Sequence, residues 1–122
     1  MSPRRNAAAV RAPASSRLSA TAPVFAALGD PTRLEIVAQL CKEGPLSITR
    51  LSEHAPVTRQ AITKHLQALA DAGLVRDSRH GRERIWELEP KRLERARACL
   101  DQISAQWESA IERLKAFVEL GE

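Results

Sequence analysis

Ile48 to Gly73 reads ITRLSEHAPVTRQAITKHLQALADAG. The segment predicts a short helix carrying Ile48 and Leu51 and ending near Ala55, because Pro56 cannot continue it. A second helix follows, capped by Thr58 and closed by Gly73. At roughly 100° per residue, Arg59, Gln60, Thr63, Lys64 and Gln67 share about 140° of arc on that helix. Ile62, Leu66 and Leu69 fall on the far side. One face can be buried on a scaffold while the other offers cations, amides and a hydroxyl to a groove. This order of helix, turn and helix is what a helix-turn-helix needs to read double-stranded DNA.

Working outward, Asp30 and Pro31 form an N-cap with proline at the first helical position, and Leu34, Ile36, Val37 and Leu40 give the apolar stripe of a helix stopped by Gly44. An earlier helix is expected through Val24, Phe25 and Leu28, ending at Gly29, and Ser47 can cap the short helix of the motif. After Gly73 the pattern changes to LVRDSRHGRERIWELEP, two charged, β-favouring runs that predict a two-stranded hairpin with Gly81 at its tip. From Pro90 to about Leu120 a long helix is expected, with no internal Gly or Pro. In it Leu93, Leu100, Trp107 and Leu114 recur every seven residues, interleaved with Ala96, Ile103, Ala110 and Phe117, and Ile111 and Val118 widen the stripe. A heptad pattern of this length wants a partner helix. The expected class is therefore mainly α with a small β-hairpin: a winged helix-turn-helix with a long C-terminal dimerisation helix.

A chain of 122 residues is the size of one compact domain. With two Phe, two Trp and no Tyr, the core must come from Leu, Ile, Val and Ala, which suits helix on helix. Residues 1–20, rich in Ala, Pro, Ser and Arg, are expected to be a disordered basic arm, and residues 21–122 the folded domain, with its dimerisation helix at about 90–120. The net charge of +4 resides in Arg4, Arg5, Arg11 and Arg17, since no acid precedes Asp30 and the rest of the chain is balanced. Such a local cluster sets the field within a Debye length of about 10 Å. Two cysteines are too few for a secreted disulfide scaffold, no apolar run reaches a membrane span, and the N-terminus has no hydrophobic leader core, so a cytoplasmic protein without a membrane partner is expected.

LGDPTRLEIVAQL (Leu28 to Leu40), TRQAITKHLQAL (Thr58 to Leu69), DAGLV (Asp71 to Val75) and GRERIWEL (Gly81 to Leu88) together resemble the ArsR/SmtB family of bacterial winged-helix repressors, over about residues 22–120. The resemblance implies a homodimer joined through its first and last helices that binds operator DNA and shuts off its own transcription unit until a signal releases it. It places DNA contacts at Thr58, Arg59, Gln60, Thr63 and Lys64, the last four of which the helical periodicity selects independently; Gln67 joins them by periodicity alone. Arg can fork to guanine and Gln to adenine, while Thr63 and Lys64 suit phosphates. At the hairpin, Arg79, Arg82 and Arg84, with His80, suit a wing lying along phosphates. The expected dimer interface comprises Phe25, Leu100, Ile103, Trp107, Ile111 and Leu114. The bland alternatives are a solvated helix face and a solvated hairpin end.

No cofactor or metal is expected. The family's third-helix site uses thiolates, and Ile48 to Ala55 contains no Cys; its last-helix site uses Asp and His, and here that helix has Asp101 but no His. His54, His65 and His80 lie on separate elements, and His65 sits at the edge of the buried stripe, where a packed structural role and a phosphate contact are both open. Some thiol-switch members of the family pair a second-helix Cys with a last-helix Cys, as Cys41 and Cys99 here could, but Cys41 falls about one turn, or about 5.4 Å, later than theirs. No catalytic constellation appears, so an enzyme is not expected. The remaining rival is a helical-dimer adaptor that binds protein through its long helix, whose cations Lys91, Arg92, Arg95 and Arg97 precede the acids Glu108, Glu112, Glu119 and Glu122.

Overall fold

The computed structural model describes residues 14–53 and 55–121. In chain order they form α1 (Ala14–Leu28), α2 (Pro31–Glu43), β1 (Leu46–Ser47), α3 (Ile48–Ser52), α4 (Arg59–Asp71), β2 (Val75–His80), β3 (Glu83–Leu88) and α5 (Pro90–Leu120). This is a winged helix-turn-helix with a long last helix.

Helix α1 starts at Ala14, ahead of the boundary expected at Thr21, so the segment anticipated as an arm is helical from Ala14 onward. Residues 1–13, with Arg4, Arg5 and Arg11, lie outside the described residues. Pro23 stands inside α1 and lacks the N–H that would bond the carbonyl of Ser19. Thr21, Val24 and Ala27, at helical spacing, are buried beyond or beside that interruption. Asp30 caps α2 as anticipated, its side chain accepting the Arg33 N–H at 3.1 Å. The stripe of α2 is narrower than the sequence predicts: Ile36, Val37 and Leu40 are buried, but Leu34 is 53% exposed. Leu34 lies roughly 200° from Ile36 around the axis, off the inward face.

Ser47 caps α3, which ends at Ser52, short of the expected Ala55. Among the described residues of the turn before α4 no φ is positive, so the Pro56 turn avoids the left-handed glycine found in many such motifs. The end of α4 is a Schellman closure: Gly73 takes φ +78°, its N–H bonds the Ala70 carbonyl, and Leu74 N–H reaches back to the Leu69 carbonyl at 2.9 Å. The two-residue loop Gly81-Arg82 then joins β2 to β3, with Gly81 at φ +68°, as a hairpin turn opening on a glycine requires.

The sheet has three strands rather than two, in the order β1-β3-β2, all antiparallel. Leu46 pairs with Trp86 and Ser47 with Ile85, so the wing is stitched to the segment that opens the helix-turn-helix. The core gathers Val24, Ile36, Val37, Leu40, Leu51, Ile62, Leu66, Leu69, Leu74 and Trp86. Helix α5 adds Ala96 and packs on α1; Cys99 is also buried on it, but beyond Cys99 the helix leaves the core.

Candidate nucleic-acid interface

Thr58 caps α4, its hydroxyl accepting the Ala61 N–H at 3.0 Å. With Ile62, Leu66 and Leu69 at most 1% exposed, the rotation of the helix is fixed and Thr58, Arg59, Gln60, Thr63, Lys64 and Gln67 all stay in solvent. They differ in how far they are already engaged. Thr63 donates its hydroxyl to the Arg59 carbonyl at 3.1 Å, and Gln67 donates to Asp71 at 3.1 Å. Among the described residues Arg59, Gln60 and Lys64 make no side-chain hydrogen bond or ion pair, so their donors remain available.

The wing divides in the same way. Arg79 and Arg84 are directly opposed across the hairpin, and Asp77 opposes Trp86. Arg84 places both Nε and Nη2 at 2.8 Å from Asp77 Oδ2, and its guanidinium lies 5.2 Å from the centre of the Trp86 ring. The predicted contact Arg84 is thus held inside the wing by a carboxylate and an aromatic face. Arg79 and Arg82, both exposed, form no ion pair among the described residues. His80 instead shares a 3.1 Å hydrogen bond with Ser78. Other cations are already paired: Arg50 bridges Glu43 and Glu53 at 3.0 and 2.6 Å, and Arg76 bridges Glu87 and Glu89 at 3.2 and 2.8 Å.

Behind α4 lies a polar joint that the sequence reading did not assemble. His65 is partly buried, and its Nδ1 lies 3.3 Å from Arg33 Nε and 3.9 Å from Asp30 Oδ2. Nη1 of Arg33 donates to the Ala27 carbonyl at 3.3 Å. The backbone N–H of Arg33, more than any other contact, holds the Asp30 carboxyl below its ordinary range, and the ring of His65, when protonated, and the charge of Arg33 act in the same direction. The D-P-T-R run of Asp30 to Arg33 was visible as a cap, but its link to His65 spans 32 positions and has no local signature.

On α5, Leu100, Ile103, Trp107 and Leu114 are exposed, Trp107 at 67%, and Phe117 and Val118 extend the same apolar surface. Ile111 and, on α1, Phe25 are half-buried. Scattered exposed apolar residues are ordinary, but a continuous stripe on one helix marks an interaction surface. Among the described residues no cluster of three or more His, Cys, Asp or Glu could hold a metal; His54 lies outside them. Cys41 is exposed, Cys99 is buried, and both are free thiols. No helix among the described residues is long and apolar enough to cross a membrane.

A family model described as a helix-turn-helix domain matches residues 28–77. The HTH-type transcriptional regulator Rv2034 of Mycobacterium tuberculosis is 41% identical over 76 residues, 62% of this chain and 70% of that one. Among solved structures, an ArsR-like transcriptional regulator from Rhodococcus sp. RHA1 superposes with a TM-score of 0.68 at 37% identity, covering 82% of this chain and 93% of that one. The homodimeric winged helix-turn-helix DNA-binding domain of Mb0332 from Mycobacterium bovis, a possible ArsR-family regulator, gives 0.59 at 26% identity, covering 75% and 83%.

Proposed function

The chain belongs to the ArsR/SmtB family of DNA-binding transcription regulators, and on that premise we propose that it is a cytoplasmic homodimeric repressor of an inverted-repeat operator. One observation carries the proposal: the unengaged donors of Arg59, Gln60 and Lys64 project from α4 beside a wing whose Arg79 and Arg82 are equally unengaged. Arg59 and Gln60 are the base readers, and Thr58, Thr63, Lys64 and Gln67 line the groove edge. Arg79 and Arg82 anchor phosphates; Arg84 braces the wing. Arg84 lies opposite Arg79 with its charge already matched by Asp77 at 2.8 Å, which leaves Arg79 and Arg82 as the wing cations open to phosphate among the described residues.

The dimer forms through the exposed stripe of α5, with Leu100, Ile103, Trp107, Ile111 and Leu114, together with Phe25 on α1. A homodimeric structural relative supports that assembly. Two-fold symmetry then sets the two α4 helices about 34 Å apart, or a multiple of it, on a palindrome. Repression, rather than activation, follows from the family likeness.

Selection of bound sequences from a random duplex pool at physiological salt tests the proposal. It should enrich an inverted repeat, and Gln60→Ala should flatten the preference at one base position per half-site. A pool that returns no motif would overturn sequence-specific regulation in favour of the protein-binding adaptor.

A further inference from the structure

We infer that Arg33 is a positioning residue for DNA recognition, holding α4 through His65 and making the seating of that helix sensitive to protons. Arg33 does three things at once. Its backbone N–H meets Asp30 at 3.1 Å, its Nη1 meets the Ala27 carbonyl at the end of α1 at 3.3 Å, and its Nε meets His65 Nδ1 on α4 at 3.3 Å. The Ala27 contact has a local cause. A carbonyl at that position would ordinarily receive the N–H four residues on, and that residue is Pro31, which has none. The guanidinium supplies the missing donor and, with the rest of its fork, reaches the recognition helix.

An N–H of Arg33 can donate to His65 Nδ1 only if that nitrogen carries a lone pair, so the contact requires the neutral imidazole. Protonation turns Nδ1 into a donor, sets two cations against each other, and leaves Asp30 Oδ2, now 3.9 Å away, as the natural acceptor. Asp30 and Arg33 are the charged groups facing the ring. Among the described residues no charged side chain of α1, α3, α4, α5 or the strands hydrogen-bonds or ion-pairs with it. Protonation of the ring therefore exchanges Arg33 for Asp30 as its partner. It moves a side chain on the buried flank of α4, opposite the residues that face solvent, and so acts on the aim of the helix rather than on a DNA contact.

The inference rests on α4 being the DNA-reading element, and its test separates the two. The first arm needs no DNA: backbone amide spectra of the full chain are followed from about pH 8 to about pH 5.5. Amides of α4 around His65 should shift in the wild type and stay in place in His65→Gln. Unmoved amides, or equal movement in the variant, would overturn the inference whatever the protein binds. The second arm measures affinity for the duplex selected above. Acidification should weaken wild-type binding roughly threefold beyond its effect on His65→Gln, the order expected from one hydrogen bond. Arg33→Lys keeps the charge but cannot serve two acceptors with a fork, so it should behave like Arg33→Gln in both arms. Full rescue by lysine would mean that Arg33 acts through charge alone. A melting curve for each variant identifies simple unfolding, in which case His65→Gln decides.

Discussion

Replacing Arg82 by alanine probes the wing, the dimer and the division of cations in one titration. Arg82 is exposed at the hairpin tip and carries no ion pair among the described residues, so its full charge is free for a phosphate. Each phosphate contact adds about 0.9 to the slope of log affinity against log salt. A homodimer bound through both wings loses two contacts, so Arg82→Ala should lower the slope by about 1.8, against about 0.9 for a single engaged wing. Raising salt from about 50 to about 200 mM is a fourfold change. The affinity deficit of the variant should therefore shrink by about 12-fold over that range for the dimer and about 3.5-fold for one wing. Fluorescence anisotropy on the selected duplex across a salt series measures this directly. The control is the paired change Asp77→Asn with Arg84→Gln, which removes two opposite charges that already neutralise each other at 2.8 Å and should leave the slope as in the wild type. An unchanged slope for Arg82→Ala, or an equal drop for the Asp77 and Arg84 pair, would refute the assignment of the anchors.

Leu66, fully buried under α4, should cost about 2 to 5 kcal/mol when cut to alanine, read by chemical denaturation; a loss below about 1 kcal/mol would contradict the packing described for this helix. Trp107→Glu places a charge in the exposed stripe of α5, and sedimentation should show the assembly reduced to single chains with helix content retained. An unchanged mass would remove α5 from the interface. The native carboxyl of Asp30 is held below its ordinary range, so its charge stabilises the fold above the unfolded carboxylate range, and this stabilisation is lost as pH falls through the lowered native value. Asp30→Asn should consequently be less stable than wild type near neutrality and converge with it in acid; a deficit that widens on acidification would reverse the sign of the argument.

Most of the scaffold was legible because it is locally encoded. The caps Asp30, Ser47 and Thr58, the closures at Gly44 and Gly73 and the Gly81 turn each act within a few residues, and the structure uses every one of them. The outward face of α4 was legible for the same reason, since a helix with Ile62, Leu66 and Leu69 buried has no other way to turn. What escaped is long-range or too short to carry a period. Strand β1 has two residues and exists because Trp86 and Ile85 offer it an edge. The early start of α1 lies in a stretch rich in Ala, Pro, Ser and Arg with no apolar period to announce a helix, and Thr21, Val24 and Ala27 are buried on either side of Pro23. Arg84 belonged on paper with the other wing cations; only the hairpin register brings Asp77 and Trp86 beside it.

The two backbone pairs of Leu46 and Ser47 with β3 have a mechanical consequence. Ser47 is at once the end of the wing's third strand and the cap of α3, so the hairpin cannot swing without dragging the helix-turn-helix with it. Wing and reading helix form a single lever arm. In the proposed dimer, a signal that loosens the grip on DNA would work by changing the angle between two such arms, or the seating of α4 within one, and not by folding a wing away from the groove.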